Sequence, residues 1–286
     1  MIPARGTSTN TVLKIRDGQA QRRRDRVILE EPLALQLQFE VEGVPVQKEV
    51  TLTMRTPGAD VELAAGFLLA EGIVEKAADM THFTYCLGSN RDQQQYNLLQ
   101  VQLRPGLVFD PSTLLRHFAT HASCGICGKA TVEALWEMGQ DSLPPSTHHP
   151  TPEQLQRMPD ILHQAQTLFH KTGGVHAAAL FSSEDGSLLS WQEDIGRHNA
   201  VDKLIGEQLL AHRLPLLETV MLVSGRVSFE IMQKALRGGV PIVAAIGAPS
   251  SLAVEVGQEF GMTLLGFVRK DGFNVYCGAE RLTLPK

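Results

Sequence analysis

The second half of the chain constrains the fold most. Short apolar runs at residues 175–181, 188–191, 220–223, 240–246 and 262–268 alternate with helical patterns near 198–211, 228–237 and 251–260. Strands that alternate with helices build a sheet covered by helices, so this part reads as an α/β layered domain. One more helix opens at Thr151-Pro152-Glu153-Gln154, a capping box with proline at the first helical position. Leu155, Met158, Ile161, Leu162, Ala165 and Phe169 follow it at helical spacing. Segment 139–150, with Pro144-Pro145 and His148-His149, reads as a loop.

The first hundred residues read differently. Residues 1–25 are polar and read as a frayed, flexible stretch. Leu33, Leu35, Leu37, Phe39 and Val41 then alternate with Ala34, Gln36, Gln38 and Glu40, a half-buried strand. Glu42-Gly43 turns the chain, and Val46, Val50, Leu52 and Met54 fit a partner strand. Asp60 is placed to cap a helix through Leu63, Phe67 and Leu68, with Gly72 just past its end. Two further strands fall near 83–86 and 99–103. A length of 286 residues suits two domains. We expect a smaller N-terminal antiparallel β domain with one helix over 1–107, and an α/β domain over 108–286.

Charge excludes some function classes. The net charge is −5, which argues against nucleic-acid binding, and Arg22, Arg23, Arg24 and Arg26 read as a local solvated run. No run of 18 or more apolar residues occurs, and no N-terminal charged region precedes an apolar one, so a cytoplasmic protein with no membrane partner is expected. The four cysteines, Cys86, Cys124, Cys127 and Cys277, are too few for a disulfide scaffold.

Two of those cysteines carry the sharpest chemical signal, in Ser123-Cys124-Gly125-Ile126-Cys127-Gly128-Lys129 before a helix-like stretch. A cysteine at a helix start feels the positive end of the dipole, which favours the thiolate, the species that attacks sulfur. A second thiol three residues on can resolve a persulfide or disulfide. A metal reading competes, because His121, Cys124 and Cys127 offer three zinc ligands with Cys277, Cys86 or His176 as a fourth. Deaminase chemistry fits poorly. His176-Ala177-Ala178 has alanine where the general acid/base Glu would stand, and no proline precedes Cys124.

Further polar groups cluster at strand ends. Thr172-Gly173-Gly174-Val175-His176 brings a histidine to a strand start. In Glu193-Asp194-Ile195-Gly196-Arg197-His198-Asn199, Arg197 and His198 are placed to face a phosphate at a helix start, and Asp194 and Asn199 to read hydrogen-bonding edges. Ser224-Gly225-Arg226 and Gly247-Ala248-Pro249-Ser250-Ser251 both follow strands and open into helices. Two such turns in one sheet form a crevice for an anionic, nucleotide-like ligand. Phe267, Val268, Arg269, Lys270, Asp271 and Gly272 end the last core strand and offer a stacking face and a guanidinium.

The combination resembles the formate dehydrogenase accessory sulfurtransferase (FdhD/NarQ) family. The matching stretches are Glu31-Pro32-Leu33, Met54-Arg55-Thr56-Pro57-Gly58, Gly66-Phe67-Leu68, Glu71-Gly72, Cys124-Gly125-Ile126-Cys127-Gly128, Thr172-Gly173-Gly174-Val175-His176, Asp194-Ile195-Gly196-Arg197-His198-Asn199 and Ser224-Gly225-Arg226. The resemblance implies a cytidine-deaminase-like three-layer fold with a mixed sheet and no catalytic zinc, in a homodimer. It implies sulfur handed from a cysteine desulfurase to Cys124 as a persulfide, assisted by Cys127. The acceptor it implies is the molybdenum bis-(molybdopterin guanine dinucleotide) cofactor of the formate dehydrogenase catalytic subunit. The segment 267–272 matches the stretch assigned to cofactor contact. Ser224, Gly225, Arg226, Arg197, His198 and His176 are the further candidates for holding this guanine-nucleotide-like ligand. Three alternatives stay open: a zinc-dependent deaminase-type hydrolase, a non-catalytic molybdenum-cofactor chaperone, and a thioredoxin-like reductase.

Overall fold

The computed structural model describes residues 6–85, 96–107, 132–133, 135–136 and 139–285. The chain starts with a two-stranded antiparallel ribbon, β1 (Thr7–Arg16) and β2 (Gln19–Ile28). The expectation of a frayed start is therefore corrected for its described part. The missed signal is Asp17-Gly18, whose φ values of 50° and 76° make the left-handed pair that a tight hairpin needs. The same chemistry recurs at Glu42-Gly43, with φ of 51° and 77°, where an apolar alternation on both sides made it legible.

Strands β3 (Glu31–Val41), β4 (Val44–Arg55), β5 (Met80–Tyr85) and β6 (Leu98–Leu103) form a four-stranded sheet in the order β4-β3-β6-β5. One pairing departs from the antiparallel expectation: β6 runs parallel to β3. Leu33, Leu35, Leu37 and Phe39 are all buried on one face. Each full burial of such a side chain is worth roughly 1.5–3 kcal/mol. The partner strand does not keep one apolar face. A β-bulge opposite Leu35/Gln36 puts Val46 and Val50 inward, and sends Leu52 and Met54 out to 63% and 46% exposure. One extra residue reverses the alternation, which a period of two cannot anticipate.

Helix α1 (Asp60–Ala70) follows, with Ala59 in the left-handed region as its N-cap. Asp60 does not cap it. Its carboxylate takes two hydrogen bonds at 3.0 Å from the buried Arg55 guanidinium, one from Tyr85 Oη and one from the Gly58 N–H.

The second sheet has six strands: β7 (His176–Ser182), β8 (Leu188–Asp194), β9 (Thr219–Val223), β10 (Ile242–Ala245), β11 (Thr263–Arg269) and β12 (Gly272–Cys277). Their order is β12-β11-β10-β9-β7-β8. Strands β9, β10 and β11 are parallel, while β7, β8 and β12 pair antiparallel, so the sheet is mixed. Strand β12 was not anticipated: residues 267–272 form a bulge and hairpin into one more edge strand.

Both faces of this sheet are covered. Helices α4 (Arg197–Leu210), α5 (Phe229–Arg237) and α6 (Ser251–Glu259) pack with Ala178, Leu180, Met221, Val223 and Val243. On the opposite face, α2 (Pro152–Ala165) packs Leu155, Met158 and Leu162 onto Ala177, Ala179, Phe181, Val220 and Leu222. Its capping box is reciprocal: the Gln154 N–H donates to Thr151 Oγ1 at 3.3 Å and the Thr151 N–H to Gln154 Oε1 at 2.7 Å. The helix stops at Ala165, so Phe169 belongs to the short α3 (Leu168–Thr172).

The first core is continuous with the N-terminal sheet, because α1 lies directly against α4. A Cβ on Gly66 would sit 2.0 Å from the Asp202 carbonyl oxygen, and one on Gly206 1.9 Å from that of Glu62. Two backbones touch there, and only glycine allows it. No helix among the described residues is long and apolar enough to cross a membrane.

Candidate functional site

An open crevice of ≈ 360 Å³ lies outside the ends of β9 and β10, lined by His176, Arg197, Ser224, Gly225, Arg226, Ile246, Gly247 and Arg269. The turns after these strands enter α5 and α6, the place where open α/β sheets take ligands. The two turns are bound to each other. The Gly247 N–H donates to the Gly225 carbonyl at 3.1 Å, the Val227 N–H to the Ala248 carbonyl at 3.1 Å, and the Ser250 N–H to the Val227 carbonyl at 2.9 Å. A Cβ on Gly247 would meet the Gly225 carbonyl oxygen at 2.7 Å and the Arg226 nitrogen at 2.9 Å, so this contact requires glycine. Ser224 extends the β7–β9 pairing: its N–H donates to the Ala177 carbonyl, and its Oγ accepts from the Ala177 N–H, both at 2.9 Å.

Three guanidiniums meet at this crevice. Arg197 is the first residue of α4, and its Nε is buried with no hydrogen-bond partner among the described residues. Arg269 is held at the rim, with Nη1 donating to the Ile246 and Val268 carbonyls at 2.7 and 2.9 Å. Arg226 is exposed at the mouth. Three planar cations beside two strand-end turns, with no carboxylate among the described lining residues, have the charge and donors to take an anion. A diphosphate matches this set better than a single phosphate, because it offers oxygens to more than one fork.

His176 sits at the start of β7 beside Arg197; a Cβ on Gly225 would lie 3.4 Å from its Nδ1. Burial, and then the charges of Arg197 and His198, hold its pKa below the ordinary value, so the ring is neutral at neutral pH. His198 does not line the crevice. Its Nε2 faces α5, 3.0 Å from Glu230 Oε2 and 3.2 Å from Ser228 Oγ.

Asp194 and Asn199, expected to read a ligand's edges, are instead structural. Asp194 is fully buried and paired with Lys203 at 2.7 Å. It also accepts from the Thr56 and Gly196 N–H groups and from Asn199 Nδ2. Asn199 Nδ2 donates to the Met54 carbonyl at 2.8 Å, and Lys203 Nζ to that of Thr56 at 2.8 Å. The stretches 54–58 and 194–199, far apart in sequence, are thus two halves of one buried joint behind the crevice.

The segment 267–272 divides. Phe267 stands at a bulge with φ of 56° and 44% exposure, its N–H donating to the Gly247 carbonyl at 3.0 Å. Val268 is fully buried in the α2-side core. Lys270 and Asp271 are exposed in the hairpin turn, and Gly272 pairs with Arg269; none of these three lines the crevice. Ile246, not singled out from the sequence, supplies an apolar wall, and its position at the end of an apolar run was its one signal. Cys124, Cys127, Cys86 and His121 lie outside the described residues. Cys277 is half-buried on β12, and burial pushes its thiol up to about 11, so it is a poor source of thiolate.

The chain is similar to known proteins over nearly its whole length. The model of the FdhD/NarQ family matches residues 28–283. A sulfur carrier protein FdhD of Streptomyces avermitilis is 46% identical over 286 residues, covering 98% of this chain and 97% of the relative. A protein of the same description from Mycobacterium tuberculosis is 44% identical over 281 residues, covering 97% and 99%. A crystal structure of a candidate formate dehydrogenase accessory protein from Desulfotalea psychrophila shares the fold, with a TM-score of 0.73 at 24% identity over 97% of this chain and 99% of that one. With its family model matched from the end of β2 almost to the C-terminus, and relatives at this identity along the whole chain, the protein belongs to the FdhD/NarQ family.

Proposed function

We propose that this protein is a cytoplasmic sulfur carrier that holds sulfur as a persulfide on Cys124. It delivers that sulfur to molybdenum bis-(molybdopterin guanine dinucleotide) on the way to formate dehydrogenase. The observation that carries the reading is the crevice of Arg197, Arg226 and Arg269, an anion site of a size for a guanine dinucleotide's diphosphate, in a chain whose relatives are described as sulfur carriers. The acceptor is cargo here, not a resident cofactor.

The sulfur steps balance as follows. The Cys124 thiolate attacks the terminal sulfur of a cysteine desulfurase persulfide. The S–S bond of the donor breaks, and the desulfurase cysteine leaves as thiolate. Cys127 thiolate then attacks the inner sulfur of the Cys124 persulfide. A Cys124–Cys127 disulfide forms, and the outer sulfur leaves with the electron pair as sulfide, the species a molybdenum centre accepts. A thiol reductant returns the disulfide to two thiols.

The described residues supply binding and electrostatics. Arg197 and Arg226 hold the diphosphate, Arg269 and the Gly247 turn close the rim, and neutral His176 is a donor or acceptor that adds no charge. Chain length allows the thiols to reach this place. Nine chain steps link Cys127 to Trp136, and with residues 132, 133, 135 and 136 helical they span up to ~23 Å. Trp136 is fixed at the far end of α6, its Nε1 donating to Glu259 Oε1 at 3.1 Å and its ring 4.6 Å from that of Phe260. Helix α6 is only ~14 Å long and begins at the crevice turn. A zinc hydrolase is disfavoured chemically, since Ala178, in the place of a catalytic Glu, is a fully buried methyl in the core.

The test is intact mass spectrometry after incubation with a cysteine desulfurase and cysteine. One added sulfur atom is expected on the wild type and the Cys127→Ser protein, and none on Cys124→Ser. Sulfur retained by Cys124→Ser would move the persulfide to another cysteine, whereas full activation of formate dehydrogenase by a Cys124→Ala/Cys127→Ala protein would falsify the carrier reading and favour a chaperone. A homodimer is expected from sedimentation of the same preparation.

A further inference from the structure

The β1–β2 ribbon has no role in the function above, and its composition is unlike the rest of the chain. Residues 7–28 hold six Lys/Arg against two Asp, within a protein of net charge −5. The cross-strand pairs Leu13↔Arg22, Thr11↔Arg24 and Thr9↔Arg26 put three arginines on one face, interleaved with Leu13 and with Ile15 opposite Ala20. Leu13 and Ile15 are 60% and 62% exposed. Arg22, Arg24 and Arg26 have no ion pair among the described residues; Arg23 on the other face has one, with Asp25 at 3.4 Å.

Among the described residues, the ribbon is attached at its base. There the Leu29 N–H donates to the Gly6 carbonyl, Gly6 packs on Leu168, and Ile28 lies against Gly174. Beyond that it spans ~30 Å as a two-stranded sheet with no further strand partner among the described residues. A lone ribbon of this kind is marginal in water, and each of its edges is a template for another strand. Arginines along an edge repel a like-charged strand; they favour one that carries carboxylates.

We propose that the β2 edge docks an extended acidic segment of a partner polypeptide. The segment adds as a third strand and lays alternate carboxylates against Arg22, Arg24 and Arg26, while its intervening apolar residues fall on the opposite face, beside Val27. Strand addition gives affinity through the backbone, and the two-residue repeat gives specificity. A nucleic acid fits less well. Residues 7–28 contain no aromatic side chain on which a base could stack, Asp25 interrupts the basic run, and two exposed aliphatics have no counterpart on a phosphate backbone. A bilayer fits less well too, because the tip is Asp17-Gly18 with no aromatic anchor.

The test is fluorescence anisotropy with a labelled, end-capped octapeptide of alternating Glu and Val, at roughly 0.15 M salt. Saturable binding to the full-length protein is expected. It weakens about tenfold or more in R22E/R24E/R26E, less in V27S, and is lost when alternate peptide nitrogens are methylated. The triple variant touches only exposed side chains, so its circular dichroism melt and its sulfur loading from the desulfurase stay at wild-type values. That separates a failure here from a failure of the carrier reading. Should R22E/R24E/R26E not fold, R22Q/R24Q/R26Q serves, with the same direction expected. The proposal is overturned if the wild type shows no saturable binding of this peptide, if the N-methylated peptide binds equally, or if a thymidine oligonucleotide or phosphatidylserine vesicles bind more tightly under the same conditions.

Discussion

The crevice and the β1–β2 ribbon each present three arginines, and they hold them in opposite ways. Arg197 is half-buried at a helix start and Arg269 is held by two carbonyl acceptors, beside turns whose backbones touch at Gly225 and Gly247. Among the described residues, Arg22, Arg24 and Arg26 are held by the alternation of one exposed strand and make no ion pair. The crevice offers a preformed shape to a small rigid anion. The ribbon offers a repeat to a chain that must itself become extended. Charge alone does not set what a cluster of arginines binds; the stiffness of the frame behind it does.

The comparison is broken most severely from behind the crevice. Asp194→Asn leaves the buried Lys203 ammonium without its counter-charge, which costs on the order of 3–5 kcal/mol. A fall in Tm on the order of 10 °C is expected in a thermal melt. An unchanged Tm would show that the joint between 54–58 and 194–199 does not carry the frame.

Next in size is the crevice itself. Arg197→Ala and Arg226→Ala are each expected to weaken guanosine diphosphate about tenfold by calorimetry, near 1.4 kcal/mol. Arg197→Ala should lose more, because its guanidinium is the better fixed. Unchanged affinity in both would remove the arginines as phosphate contacts.

A smaller effect separates the two regions by pH. The folded-state pKa of His176 lies below the ordinary 6.5, so the unfolded chain takes up the proton first. Its contribution to stability is therefore complete above about pH 6.5 and is lost as pH falls below it. A bound diphosphate works the other way, favouring the imidazolium. The affinity of wild type relative to His176→Gln should rise a few-fold between pH 7 and about 5.5. A constant ratio would place His176 outside the ligand's field.

The smallest effect belongs to the ribbon. Arg24→Ala alone should change global stability by less than about 0.5 kcal/mol, since the side chain is exposed and unpaired among the described residues. A drop above about 1 kcal/mol in urea denaturation would mean the ribbon is bound to the body of the protein after all.

Much of the framework was legible in the sequence because it rests on local signals. The Thr151 capping box, the Leu33–Leu35–Leu37 alternation and the strand-end turns at 224–226 and 247–251 need only neighbours to act. The failures have equally local causes. The Asp17-Gly18 turn is hard to read because its flanking strands bury little, and the partner strand of 46–54 is legible while the bulge that turns Leu52 and Met54 to solvent is not. Asp194 and Asn199 looked like ligand readers, since a sequence shows polar residues without their partners. Thr56 and Met54, which satisfy them, are more than 130 positions away.

By itself the sequence determined the element types, the mixed helix–sheet class, the thiol pair at 124 and 127, and the order of motifs that marks the family. Those depend on periodicity, capping and residue chemistry, which act over a few positions. Only the tertiary structure decided which polar groups are consumed in holding the protein together and which stay free for a ligand. Hydrogen-bond partners and burial are set by the packing of α1 on α4 and of one strand-end turn on another. No short-range pattern encodes that contact.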